Sequence, residues 1–153
     1  MIRRPRAVCA GLALLALLGC SGNRPSFFGG SLTVTATVDP GINQNHPVAV
    51  ETLVIYDSGL LNTLLSTSAA DWFQKRVQYR RDYPEESGYV SLYREWVPGQ
   101  VVEPEEISFG TGARGGLVFV NYANNQSNRV RFDPHQSIRI HLEENGFTVQ
   151  PVE

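Results

Sequence analysis

The chain has 153 residues, of which 42% are hydrophobic and 18% charged, with a formal net charge of −2. Beyond the first six residues nothing basic is clustered enough to point to nucleic acid. Two cysteines leave no room for a disulfide-dense scaffold. At the start, Arg3, Arg4 and Arg6 precede Val8 to Leu18, an almost wholly apolar run, as in the n- and h-regions of a secretory signal peptide. That run falls well short of the roughly 20 residues a bilayer-spanning helix needs.

The run closes on Leu17-Leu18-Gly19-Cys20, which resembles the lipobox of bacterial lipoproteins. The resemblance implies that residues 1–19 are a leader and that Cys20 is acylated, so that its partner is the outer-membrane lipid. One acyl chain gives only reversible attachment, whereas the three chains of a lipoprotein cysteine make it permanent. Ser21, in place of an aspartate, implies sorting to the outer membrane, at its periplasmic face. Without Arg3, Arg4 and Arg6 the remaining chain carries ten basic and fifteen acidic residues, a net charge of −5, with Lys75 the single lysine. Cys9 leaves with the leader and Cys20 is blocked, so no disulfide forms and packing must supply the stability. What remains fits one domain.

Residues 20–31 are rich in turn formers and predict a tether, with Phe27 and Phe28 as a pair able to dock on the domain. Residues 32–153 predict a β-sandwich with a helical insertion over 57–81. Leu32 to Val38 alternates apolar residues with threonines, the period of a half-buried strand. Asp39-Pro40-Gly41 breaks it, and a polar loop, Ile42 to Pro47, follows. Val48 to Tyr56 is apolar on both faces and reads as a central strand. Leu60, Leu61, Leu64 and Leu65 then repeat at helical spacing. Ser68, with Asp71 three residues on, predicts the capped start of a second helix running to about Tyr79. Its apolar face is expected to be Ala69, Trp72, Phe73 and Val77, with Trp72 and Phe73 in the core. Strand signals return at Tyr89–Trp96, Glu105–Phe109, Leu117–Tyr122, Asn128–Phe132, Ile138–Leu142 and Phe147–Val149. Val97 to Gln100 reads as a turn, and Asn145-Gly146 as a two-residue hairpin signal. The pattern is all-β with a small helical insertion, a two-sheet antiparallel β-sandwich.

No catalytic constellation is signalled. Gly110 to Gly115 spells GxGxxG, but a strand rather than a helix follows, so it predicts a hairpin loop and no dinucleotide site. His46, His135 and His141 share no metal-ligand spacing, and no metal or cofactor is expected. His141 alternates with Ile140 and Leu142 and is expected to face solvent. No nucleophile motif appears, so the chain does not read as an enzyme.

The lipobox, the tether, Ile42-Asn43 in the first loop, the strand closing on Val54-Ile55-Tyr56-Asp57, the helix bearing Ala70-Asp71-Trp72-Phe73 and the Pro98-Gly99 turn together resemble the outer-membrane lipoproteins of type VI secretion systems, the TssJ/SciN family. The resemblance implies a transthyretin-like sandwich in the outer membrane that holds the periplasmic end of an inner-membrane stalk protein (TssM-like). It further implies that residues 39–47 make that contact, with Asn43, Gln44, Asn45 and His46 as the partner-binding residues. Read without it, the same segment is a plain polar connection. Two other readings stand beside the first. One is a periplasmic ligand- or glycan-binding lipoprotein using Tyr89, Tyr93, Trp96 and Tyr122; the other is a pilotin-like assembly lipoprotein of another secretion machine.

Overall fold

A computed structural model describes residues 29–85, 87–124 and 128–152. The leader, Cys20 and the Phe27–Phe28 pair lie outside the described residues.

Among the described residues, eight strands form two four-stranded sheets. In the first, the order is β4 (Glu105–Phe109), β1 (Gly30–Val38), β7 (Ile138–Leu142) and β8 (Phe147–Pro151). In the second it is β3 (Tyr89–Trp96), β2 (Val48–Ile55), β5 (Gly115–Val120) and β6 (Arg129–Phe132). All eight expected strands are present. One pairing departs from the antiparallel expectation: β1 and β7 run parallel, Val34 opposite Ile138 and Val38 opposite Leu142. The long chain excursion between them makes a parallel neighbour possible, which a tight hairpin does not.

The alternation of β1 sends Leu32, Val34 and Val38 into the space between the sheets, where they meet Val50, Val54, Val118, Val120 and Ile140. Its threonines face outward on a sheet that none of the described helices covers. β2 is central, flanked by β3 and β5, and is buried on both faces for a specific reason. Val48, Val50 and Val54 look toward the first sheet, whereas Leu53 and Ile55 look the other way, into a second core under the helices. The molecule is therefore sheet, sheet and helical layer, with two apolar seams.

The helical layer consists of α2 (Ser58–Leu64) and α3 (Ala69–Asp82). Asp57 caps α2 by accepting the Leu60 N–H at 2.6 Å, and Leu60, Leu61 and Leu64 are buried beneath it. Ser68 caps α3 by accepting the Asp71 N–H at 3.1 Å, and its hydroxyl donates to Asp71 Oδ2 at 2.7 Å. This bond and the Lys75 charge hold the Asp71 carboxyl below its ordinary range.

α3 rotates away from the expected stripe. Trp72 is fully buried, stacked on Phe119 with centroids 5.2 Å apart and on Tyr79 at 5.3 Å. Phe73 is only half-buried, and Val77 stands 59% exposed. The cause is Glu51, which β2 carries into the helix-facing seam and which is entirely buried. It accepts from Trp72 Nε1 and Ser91 Oγ, both at 2.9 Å, and is paired with Arg76 at 3.4 Å and Arg80 at 3.3 Å. A buried charge must be paired and hydrogen-bonded, so Arg76 and Arg80 of α3 turn to the sheet and Val77 turns out. The Arg76 guanidinium also lies 4.0 Å over the Tyr93 ring, a cation–π contact.

Two further departures are local. The expected loop through Gly116 ends earlier, because Gly115 and Gly116 belong to β5. A Cβ on Gly116 would meet the Phe132 ring at 2.3 Å, so the glycine allows that ring to lie against the strand. The β7–β8 hairpin pairs Leu142 with Phe147 across four residues rather than two. Neither Asn145 nor Gly146 has the positive φ that a two-residue turn of this kind requires.

Candidate functional site

β1 gives the sandwich its polarity. The chain enters at Gly29, whose φ of 89° fits it against Phe109, and nine residues of strand carry it roughly 30 Å to Asp39 at the other end. Four segments meet there: the β1–β2 loop, the β3–β4 turn, the stretch after β5 and the β7–β8 hairpin. Backbone bonds tie them together. Asp39 N–H donates to Leu142 O at 3.0 Å, and Gly99 N–H donates to Asp39 O at 3.2 Å.

The β1–β2 loop is not an open connection. It contains a four-residue helical turn, α1 (Ile42–Asn45), in which Asn43, Gln44 and Asn45 have φ of 47°, 56° and 64°. Left-handed backbone costs about 1–2 kcal/mol per ordinary residue, less for asparagine, whose short polar side chain bonds locally. Three such residues in succession persist only where the surroundings dictate them. The anchors are visible. Ile42 is fully buried in the inter-sheet core. Asn43 is 8% exposed, donating through Nδ2 to Pro47 O at 2.9 Å and accepting the Ala123 N–H on Oδ1 at 2.7 Å. Its own N–H donates to Glu144 O at 3.1 Å.

The four residues expected to meet a partner thus divide into two kinds. Asn43 turns inward and braces the loop, with both amide atoms engaged. Gln44, Asn45 and His46 are exposed at its tip. His46 Nδ1 lies 2.8 Å from Gln44 O, and since a carbonyl only accepts, Nδ1 carries the proton.

The hairpin beside the loop is braced too. The Tyr122 hydroxyl reaches both Glu143 O at 2.8 Å and Gly146 O at 2.5 Å. Burial, with the nearby Glu143 charge, pushes the ionisation of Tyr122 well above that of a free phenol. On the outer face His141 Nε2 sits 3.0 Å from Asp39 Oδ1, and its Nδ1 3.8 Å from Glu143 Oε1. The ring is partly exposed, as its alternation implies. These groups line a shallow depression of about 550 Å³ with Glu144 and Asn145. Within segments 39–47, 95–103, 121–124 and 142–147 there are five carboxylates and neither lysine nor arginine. This end of the molecule is acidic.

The aromatic residues considered for a glycan platform do not form one. Tyr89, Trp96 and Tyr122 are 3%, 4% and 4% exposed and belong to the two cores, and the Tyr93 ring is covered by Arg76. The three histidines stay apart: His46 on the loop tip, His141 on the outer sheet face, and His135 against Phe109. Among the described residues, no three potential ligands gather as a metal site, and no helix is long and apolar enough to cross a membrane.

Sequence reasoning did not single out Tyr122 as a brace, Glu51 as a helix clamp, or the exposed Val97 and Val101 of the β3–β4 turn. The one available signal was the turn itself, two valines flanking Pro98-Gly99-Gln100.

No family model matches the chain, and no curated protein matches it. Solved structures do. Serratia marcescens Lip, a membrane-bound component of the type VI secretion system (T6SS), superposes with a TM-score of 0.58 at 16% identity, over 82% of this chain and 97% of Lip. The T6SS lipoprotein TssJ1 from Pseudomonas aeruginosa gives 0.63 at 12% identity, over 82% of this chain and 98% of TssJ1. A chain in the structure of the T6SS protein TssM C-terminal domain (869–1107) from EAEC gives 0.56 at 16% identity, over 80% of this chain and 97% of that one. The sandwich with its helical layer is therefore the fold of T6SS TssJ lipoproteins.

Proposed function

We propose that this protein is an outer-membrane lipoprotein, acylated at Cys20, that anchors a type VI secretion membrane complex by binding the periplasmic end of its inner-membrane stalk protein. The observation that carries the proposal is the braced, left-handed β1–β2 turn. Its polar tip is held in a defined shape on a TssJ-type sandwich, at the opposite end from the entry of the chain. A lipid anchor on the leader side then leaves Gln44, Asn45 and His46 facing away from the membrane, where a partner rising from the inner membrane arrives. Pre-ordering of the loop reduces the entropy lost on binding. A role in assembly agrees with an end that offers a defined shape and an acidic charge.

The test is co-purification of the full-length acylated protein, in detergent, with the periplasmic domain of the stalk protein of the same organism's type VI secretion system. Replacing Gln44 and Asn45 by Gly and His46 by Ser, with Asn43 kept, should weaken the complex at least about tenfold while the melting temperature does not fall. Equal recovery of the stalk domain by both versions would remove the loop from the contact.

A further inference from the structure

Large apolar side chains are 50% or more exposed at three described positions, Val77, Val97 and Val101. A single exposed valine needs no explanation. Two of these three, however, lie four residues apart on the β3–β4 turn, and Val101 is 86% exposed. The turn is rigid: Pro98 sets its first corner, Gly99 takes the second with φ of 69°, and Gln100 N–H donates to Val97 O at 3.1 Å. It is closed a second time by Gln100 Oε1, which accepts the Val97 N–H at 3.0 Å. It is also fixed to the loop beside it, through the Gly99–Asp39 bond and a backbone bridge between Thr37 and Val101.

We infer that the partner-binding surface extends from the β1–β2 tip onto this turn, with Val97 and Val101 as its apolar centre. The occupant is a basic protein surface that sets an apolar side chain on the valines. The inference rests on the proposed function above and specifies the chemistry of its partner. Interfaces concentrate their energy in an apolar, desolvated centre, while a charged rim sets approach and orientation. Here the rim is Asp39, Glu95, Glu103, Glu143 and Glu144, with no lysine or arginine in the four segments. Asp39 and Glu143 already face His141, but an acidic or neutral partner would bury Glu95, Glu103 and Glu144 without a counter-charge. A partner bearing lysines and arginines is steered in, and faster at low salt.

Binding of the full-length acylated protein in detergent to the stalk protein's periplasmic domain would be followed by interferometry at low and high salt. Three variants are needed: Val97→Ser with Val101→Ser, Glu143→Gln with Glu144→Gln, and the Gln44/Asn45/His46 replacement described above. The inference expects about a tenfold loss for the valine variant without loss of thermal stability. It also expects a slower association for the glutamine variant, with a weaker gain on lowering salt, since three of the five carboxylates remain. Wild-type affinity in the valine variant, together with loss in the loop variant, would overturn the extension and leave the loop contact standing. Wild-type affinity in all three, or no binding by the wild type, would overturn the proposed function itself.

Discussion

Glu51 accepts a 2.9 Å hydrogen bond from Trp72 Nε1 in a place where neither side chain has any access to water. The contact joins the middle of β2 to the first turns of α3, and it decides which face of that helix docks. An indole donor requires a partner when buried, and a buried carboxylate requires several. Each meets the other's need, with Ser91, Arg76 and Arg80 completing the set.

Removing one side of this arrangement should cost far more than it would at a surface. Glu51→Ala leaves an indole N–H buried without an acceptor and two arginines without their counter-charge, and a broken buried pair costs about 3–5 kcal/mol. Arg80 is half exposed, so water takes up part of its loss and the lower end of the range is expected. Trp72→Ala should cost about 3–5 kcal/mol through the cavity it leaves. Phe73→Ala, at a half-buried site, should cost clearly less. Urea unfolding of the three variants orders them, and a Phe73 loss equal to that of Trp72 would contradict the docking described.

The left-handed turn makes opposite predictions at adjacent positions. Asn43→Ala removes two hydrogen bonds and leaves the Ala123 N–H without its acceptor, which should cost about 1–3 kcal/mol. Gln44→Gly relieves an unfavourable backbone, worth about 1–2 kcal/mol, against the larger entropy a glycine loses on folding. A net gain of about 0.5 kcal/mol is expected at Gln44. Thermal melts of the pair with the wild type check both signs; destabilisation by Gln44→Gly would mean that its side chain, not its backbone, supports the turn.

Two buried phenols predict an alkaline limit to stability. Burial first, and the Glu51 charge second, push Tyr89 up to about 12, and Tyr122 is raised as well. Each favours the neutral form in the folded state. The stability they contribute is complete below the ordinary phenol value near 10 and is lost as pH rises through the raised folded values. Melting temperature should therefore fall steeply above about pH 10, and Tyr89→Phe should flatten the fall. An unchanged slope in Tyr89→Phe, read beside tyrosinate absorbance, would assign the limit to other groups.

The anchor is tested by Cys20→Ala. Fatty-acid labelling should disappear, and the protein should move to the soluble periplasmic fraction or remain unprocessed. Equal labelling of wild type and variant would rule out acylation at this residue.

Much of the architecture was legible because it depends on local pattern. The threonine alternation of β1, the two-sided apolarity of β2 and the Ser68 cap each reflect a backbone geometry that repeats every two or 3.6 residues. The Pro98–Gly99 turn was legible for a related reason, since φ is set by those two residues alone. Where a prediction required knowing what lies opposite a residue in space, periodicity was silent. Val77 fits an apolar stripe by spacing, yet a carboxylate from a strand two elements earlier turns the helix so that arginines face the sheet. Asn43 looks like its polar neighbours in the chain, but Ala123 and Pro47 draw it inward and leave Gln44, Asn45 and His46 outside. The acidic end with its valine turn is assembled from four separate segments, and only the meeting of those segments makes it a surface. Short-range order follows from the chain's own stereochemistry, whereas the charge and shape of this end arise from contacts between segments far apart in the chain, such as Asn43 with Ala123, 80 positions away.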